Sequence, residues 1–158
     1  MTGELEPRSS WTVGECPIAR TFEVIGTKTS YLIMREAFYG TSRFEEFVER
    51  TGMSEPVAAA RLRELTDEGL LEKIPYQEPG QRTRNAYRLT EKGSDLLPVL
   101  VAMMNWGDRW LFPHGARVEL RHADCGQPVH AELRCEAGHD VGRDQLQLSR
   151  RKRAASAA

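Results

Sequence analysis

Two short amphipathic runs separated by one brief break limit this chain more than any other feature. In Ser42-Arg43-Phe44-Glu45-Glu46-Phe47-Val48, Ser42 suits a helix cap and Phe44, Phe47 and Val48 fall on one face at i, i+3, i+4. Gly52 closes that helix. Ser54-Glu55-Pro56 restarts one almost at once: Ser54 suits the cap, Glu55 the positive end and Pro56 the first turn. Ala58, Leu62 and Leu65 form its inward stripe, and Gly69 stops it. Two short helices joined by a turn containing Gly are the helix-turn-helix pattern. Leu70-Leu71-Glu72-Lys73-Ile74 and Asn85-Ala86-Tyr87-Arg88-Leu89 then read as strands around a polar Pro/Gly loop, residues 75–84, too long for a tight turn. A helix-turn-helix followed by a hairpin with basic residues near its tip is a winged helix. The predicted class is mainly α with a small β-hairpin.

The flanks complete that plan. A helix is predicted from Cys16-Pro17 to Ile25, and a second from Ser30 to Tyr39, with Leu32, Ile33 and Met34 supplying buried surface. After the hairpin, Thr90-Glu91-Lys92-Gly93 opens a last helix whose Leu96, Leu100, Met103 and Trp110 share one face, with Leu97, Val101 and Met104 beside them. Pro98 removes one backbone bond, so the regular helix is expected from near Ser94. The apolar face is wider than one core contact needs, which predicts a second surface buried against another subunit. Beyond Pro113, short strand-like segments surround residues 122–126 and 135–139. The expected organisation is a flexible arm at 1–15 that only Trp11 could anchor, a winged helix and dimerisation domain at 16–112, a small Cys/His-containing extension at 113–148, and a disordered tail at 149–158 carrying Arg150-Arg151-Lys152-Arg153.

Bulk properties narrow the function classes. A chain of 158 residues, 40% hydrophobic, can bury one ordinary core. Its formal charge of −1 does not announce a nucleic-acid binder, but local clustering of Lys and Arg matters more than the sum. The apolar stretch around Leu96 to Met104 is too short to span a bilayer, and the polar N-terminus lacks a signal-peptide core. Three scattered cysteines argue against a disulfide scaffold and for a reducing cytoplasm. Neither a nucleophile elbow nor a phosphate-binding or dinucleotide-binding loop is present, so an enzyme is not expected.

The segments Cys16-Pro17-Ile18-Ala19, Arg43-Phe44, Arg61-Leu62-Arg63-Glu64-Leu65, Gly69-Leu70-Leu71 and Leu89-Thr90-Glu91-Lys92-Gly93, in this order and spacing, resemble the HxlR family of bacterial transcription regulators over roughly residues 11 to 112. The resemblance implies a homodimeric winged helix joined through its first and last helices, a local repressor or activator on double-stranded DNA. Thr29 stands where the family usually has Trp, and Ala37 and Ala58 where it has Leu. Tyr31, Phe38 and Phe44 are expected to fill that space, which is no more than a hint of a ligand pocket.

A recognition helix places its N-terminal residues nearest the base edges. Those residues are Ser54, Glu55 and Pro56, followed on the outward side by Ala59, Ala60 and Arg63. Arg63 is the candidate for a bidentate guanine contact and Ser54 for a hydrogen bond to base or phosphate, while Ala59 and Ala60 could meet a thymine methyl. Arg82 and Arg84, assisted by Gln81 and Thr83, are expected on the phosphate backbone or minor groove. Arg43 is assigned to a helix cap or a phosphate, and Arg61 to structure. Cys16, at a helix N-terminus, is a candidate redox sensor, although a half-buried thiol filling an interface gap is the favoured reading. His122, Cys125, Cys135 and His139 resemble a Cys2His2 zinc set, but the second pair lacks the tight spacing and a small metal-free hairpin is favoured, so no cofactor is expected. The competing function is a winged helix turned to protein interaction or to ligand or redox sensing, with weak or no DNA binding, which the low net charge and Glu55 support.

Overall fold

The structure is a computed structural model that describes residues 12–147. The expectations for Trp11 and for the basic run at 150–153 lie outside the described residues. Six helices and two strands follow in order: α1 (Pro17–Ile25), α2 (Lys28–Phe38), α3 (Phe44–Thr51), α4 (Glu55–Asp67), β1 (Leu71–Tyr76), β2 (Arg84–Leu89), α5 (Glu91–Ser94) and α6 (Leu97–Leu111). All of them belong to one compact unit, Pro17–Ala131, and a second unit combines the described residues 12–16 with residues 132–147.

Local chemistry explains the element boundaries. Thr27 caps α2, its hydroxyl accepting the Ser30 N–H at 3.1 Å. α4 ends in a two-bond C-cap: the Leu70 N–H reaches the Leu65 carbonyl and the Gly69 N–H reaches that of Thr66, both at 2.9 Å. That cap needs the left-handed backbone of Gly69, at φ 71°. The chain therefore turns directly from α4 into β1, which pairs antiparallel with β2 in a register running from Leu71 opposite Leu89 to Tyr76 opposite Arg84. Each strand is longer toward the tip than the sequence suggests, β1 by Pro75 and Tyr76 and β2 by Arg84. Pro75 is tolerated because a two-stranded ribbon consists only of edges.

Four local expectations need correction: α2 begins at Lys28 rather than Ser30, the segments at 122–126 and 135–139 are turns flanked by single bridges rather than strands, and two helix starts differ as well. Ser42 does not cap α3; Arg43 holds that position without a side-chain capping bond. The Ser42 carbonyl instead accepts the Tyr87 N–H at 2.8 Å, and Arg43 bridges Ala86, adding a short third rung to the wing. A backbone pairing has displaced a side-chain cap. The last helix is also two helices, because Pro98 sits in the first turn of α6 and its missing N–H forces a new start after Asp95 and Leu96.

The core gathers Ile25, Ile33, Met34, Phe47, Leu62, Leu65, Leu70 and Leu71. The ring of Phe47 meets Tyr87 of β2 edge-on, with centroids 6.0 Å apart at 89°. Ala58 is fully buried, and Tyr31, Phe38 and Phe44 pack partly buried against this cluster, as the small residues at 37 and 58 require. Gly93 seats α5 on the entrance to the wing: a Cβ there would lie 2.1 Å from the Leu70 carbonyl oxygen. This architecture is a winged helix-turn-helix, with α3 and α4 as the paired helices and β1–β2 as the wing.

Candidate nucleic-acid interface

The N-terminal turn of α4 is open to solvent. Glu55, Pro56 and Val57 are exposed, and so is Ser54, whose extended backbone occupies the N-cap position while its hydroxyl makes no capping bond. That hydroxyl is left for an outside partner, and so is the Glu55 carboxylate, which has no cation partner among the described residues. Ala59 and Ala60 are half-buried, forming the shoulders of the helix rather than its tip. Val57, 41% exposed, was missed by the sequence reading. It sits one residue before the buried stripe of Ala58, Leu62 and Leu65, so helical geometry turns it away from the core; that offset was the available signal.

Arg63 lies exposed, two turns into α4. Burial pushes the Tyr87 hydroxyl above its ordinary value near 10, and the Arg63 charge pulls it partly back. Arg63 thus lies within electrostatic range of Tyr87 on β2, and α4 packs directly against β1. Arg61 is half-buried and pairs with Glu64 on the same helix.

On the wing, Gln81, Arg82, Thr83 and Arg84 are all exposed. The wing cations have different commitments. Arg84 pairs with Glu45 of α3 at 2.7 Å, and Arg43 pairs with Glu78 of the loop at 2.9 Å while its guanidinium lies 5.2 Å from the Tyr76 ring centroid. The Gln81 side chain donates to Glu78 at 3.2 Å. Arg82 has no carboxylate partner among the described residues. Two ion pairs thus cross between α3 and the wing, and their carboxylates, Glu45 and Glu78, are site residues that sequence reasoning did not single out. Exposed pairs of this kind contribute about 0–1 kcal/mol each, so a phosphate can displace them.

Cys16 is half-buried, directly before α1, and forms no disulfide. The Cys/His residues of the extension sit in two similar turns. His122 Nδ1 lies 3.3 Å from Cys125 Sγ where Gly126 bonds back to His122, and Cys135 Sγ lies 3.6 Å from His139 Nδ1 where Gly138 bonds back to Cys135. The first pair belongs to the larger unit and the second to the smaller. Among the described residues, no group of three or more His, Cys, Asp or Glu is gathered as metal ligands. No described helix is long and apolar enough to cross a membrane.

Comparison with known proteins bears on this geometry. Residues 24–115 match the HxlR-like helix-turn-helix family. An uncharacterized HTH-type transcriptional regulator of Mycobacterium tuberculosis is 39% identical over 119 residues, covering 75% of this chain and 74% of the relative. A crystal structure of PA1607, described as a candidate transcription factor, is 39% identical with a TM-score of 0.77 and covers 87% of this chain and 96% of that one. The reduced form of the transcriptional regulator YodB from Bacillus subtilis is 31% identical with a TM-score of 0.52, covering 62% of this chain and 96% of that one.

Proposed function

The chain belongs to the HxlR-like helix-turn-helix family and is a DNA-binding transcription regulator, and we propose that it works as a cytoplasmic homodimer reading a two-fold site in double-stranded DNA. The observation carrying this reading is that the α4 N-terminus, Arg63 and the wing arginines are all exposed on a helix-turn-helix and its wing. In the proposed complex α4 enters the major groove. Ser54, Val57 and Arg63 meet base edges, with Val57 suited to a thymine methyl and Arg63 to guanine. Arg82, Arg84 and Arg43 meet phosphates, assisted by Gln81 and Thr83.

Two exposed apolar faces support dimerisation in this reading. On α1, Ile18 and Phe22 are exposed one turn apart; on α6, Met103, Trp106 and Trp110 form an exposed row. A pair of chains joined there would present two α4 helices, and half-sites spaced about 10 bp or a multiple. Cys16, at the start of α1, would then border that interface.

Selection of binding sites from random duplexes tests the reading, with the two parts of the surface separated by mutation. Arg82→Ala with Arg84→Ala is expected to weaken binding to every sequence and to lower the slope of log affinity against log salt by about 2. Arg63→Ala is expected to relax the preference at one base pair, by about 1–3 kcal/mol, with the slope little changed. An unchanged slope in the double variant would remove the wing from the interface, and failure to enrich any sequence would favour the protein-interaction reading.

A further inference from the structure

Asn105 and Asp108, polar residues on α6, hold the chain that follows it. The Asn105 amide donates to the Val129 carbonyl at 3.4 Å and accepts the Ala131 N–H at 2.9 Å, while the Asp108 carboxylate accepts the Ala116 N–H at 2.6 Å. Residues 112–131 are thereby arched back along the helix. A cleft of about 1410 Å³, open to solvent on one side, lies between this arch, α2 and α6, lined by Tyr31, Leu32, Leu100, Met104, Val118 and Val129 among others. Pockets that bury small molecules usually measure about 300–1,000 Å³ and are largely apolar with a few placed polar groups. This one has the apolar walls and room to spare, and Thr29, Ala37 and Ala58 do not line it.

Its charged groups show which ligand it suits. The buried Glu36 takes both Nε and Nη2 of Arg35 on one oxygen and the Thr41 hydroxyl on the other, so its charge is answered. Glu119 is answered by Arg121, whereas Asp108 accepts the Ala116 N–H and has no cation partner among the described residues. Arg50, from α3, also borders the cavity; it donates to the Thr41 hydroxyl at 2.7 Å and has no carboxylate partner among the described residues. Arg117 borders it in the same condition. An apolar chamber edged by uncompensated guanidinium groups complements a molecule with an apolar body and one negative end.

We propose that this cavity binds an amphipathic organic acid, its carboxylate on Arg50 and its aliphatic or aromatic body between α2 and α6. Arg50 stands on the first helix of the DNA-reading pair, so an occupant touches that unit directly. The binding is measured without DNA, and its failure would leave the DNA reading intact.

Calorimetric titration of the full chain with decanoate, 2-naphthoate and 1-decanol tests the proposal. At least one carboxylate is expected to bind saturably at one per chain, with the uncharged alcohol at least tenfold weaker. Arg50→Gln should weaken the carboxylates about tenfold and leave the alcohol unaltered. Met104→Glu, which sets a negative charge on the apolar wall from α6, should weaken the carboxylates at least tenfold, and Leu32→Glu does the same from α2 should the first variant fail to fold, as circular dichroism would show. Absence of carboxylate binding, equal binding of acid and alcohol, or indifference to Arg50→Gln would each overturn the proposal. So would a sedimentation shift to smaller species on adding decanoate, which would mark the chamber as the seat of a second copy.

Discussion

At the scale of single residues, the reading surface is governed by carboxylates as much as by arginines. Glu45 and Glu78 hold Arg84 and Arg43, so in the proposed complex the wing would meet DNA with part of its charge already answered. Glu45→Gln should release Arg84 and raise affinity for any duplex by about two- to fivefold, the range expected for an exposed pair, as fluorescence anisotropy would record. A loss of affinity would mean instead that Glu45 positions Arg84 for its phosphate. The exposure of Arg63, Arg82 and Arg84 was legible in the sequence because their places in the helix and loop put them outward. Their partners were not legible: Glu45 and Arg84 are far apart in the chain, and only the folded hairpin brings them to 2.7 Å.

At the scale of elements, helix ends and apolar spacing identified α1 to α4 and both strands, because Gly69, Gly52 and Pro56 act locally. The interruption between α5 and α6 and the third rung at Ser42 were harder, since each depends on competition between two local preferences or on a distant backbone partner. Gly93 is the sharpest case: its role comes from the Leu70 carbonyl beneath it, invisible in a run that reads simply as a helix start. Gly93→Ala should destabilise the fold by about 1–3 kcal/mol, the ordinary cost of overpacking, seen as a lower urea midpoint with unchanged slope. An unshifted midpoint would show that α5 can slide away from the wing without cost.

At the scale of the whole molecule, α6 serves two sides. One face, with Leu100, Val101 and Met104, lines the interior and the chamber; Met103 borders the chamber too and is exposed, and Trp106 and Trp110 are exposed beyond it. The breadth of that apolar helix was readable from the sequence; the chamber was not, because its third wall comes from a segment whose apolar residues show no regular period. Trp106→Glu with Trp110→Glu should convert the proposed dimer to a folded monomer in sedimentation and sharply weaken binding to a two-fold site, while an undiminished dimer would place the interface elsewhere. The wing has a different consequence. Its strands are paired along their whole length, and its base is pinned where the Thr90 N–H donates to the Leu70 carbonyl and the Thr90 hydroxyl to the Gly69 carbonyl. Protease cleavage within residues 77–83 should therefore separate two polypeptides without separating two bodies. The nicked protein is expected to run as two bands under denaturing conditions and to elute as one species under native ones, so that halves expressed apart could reassemble by complementation.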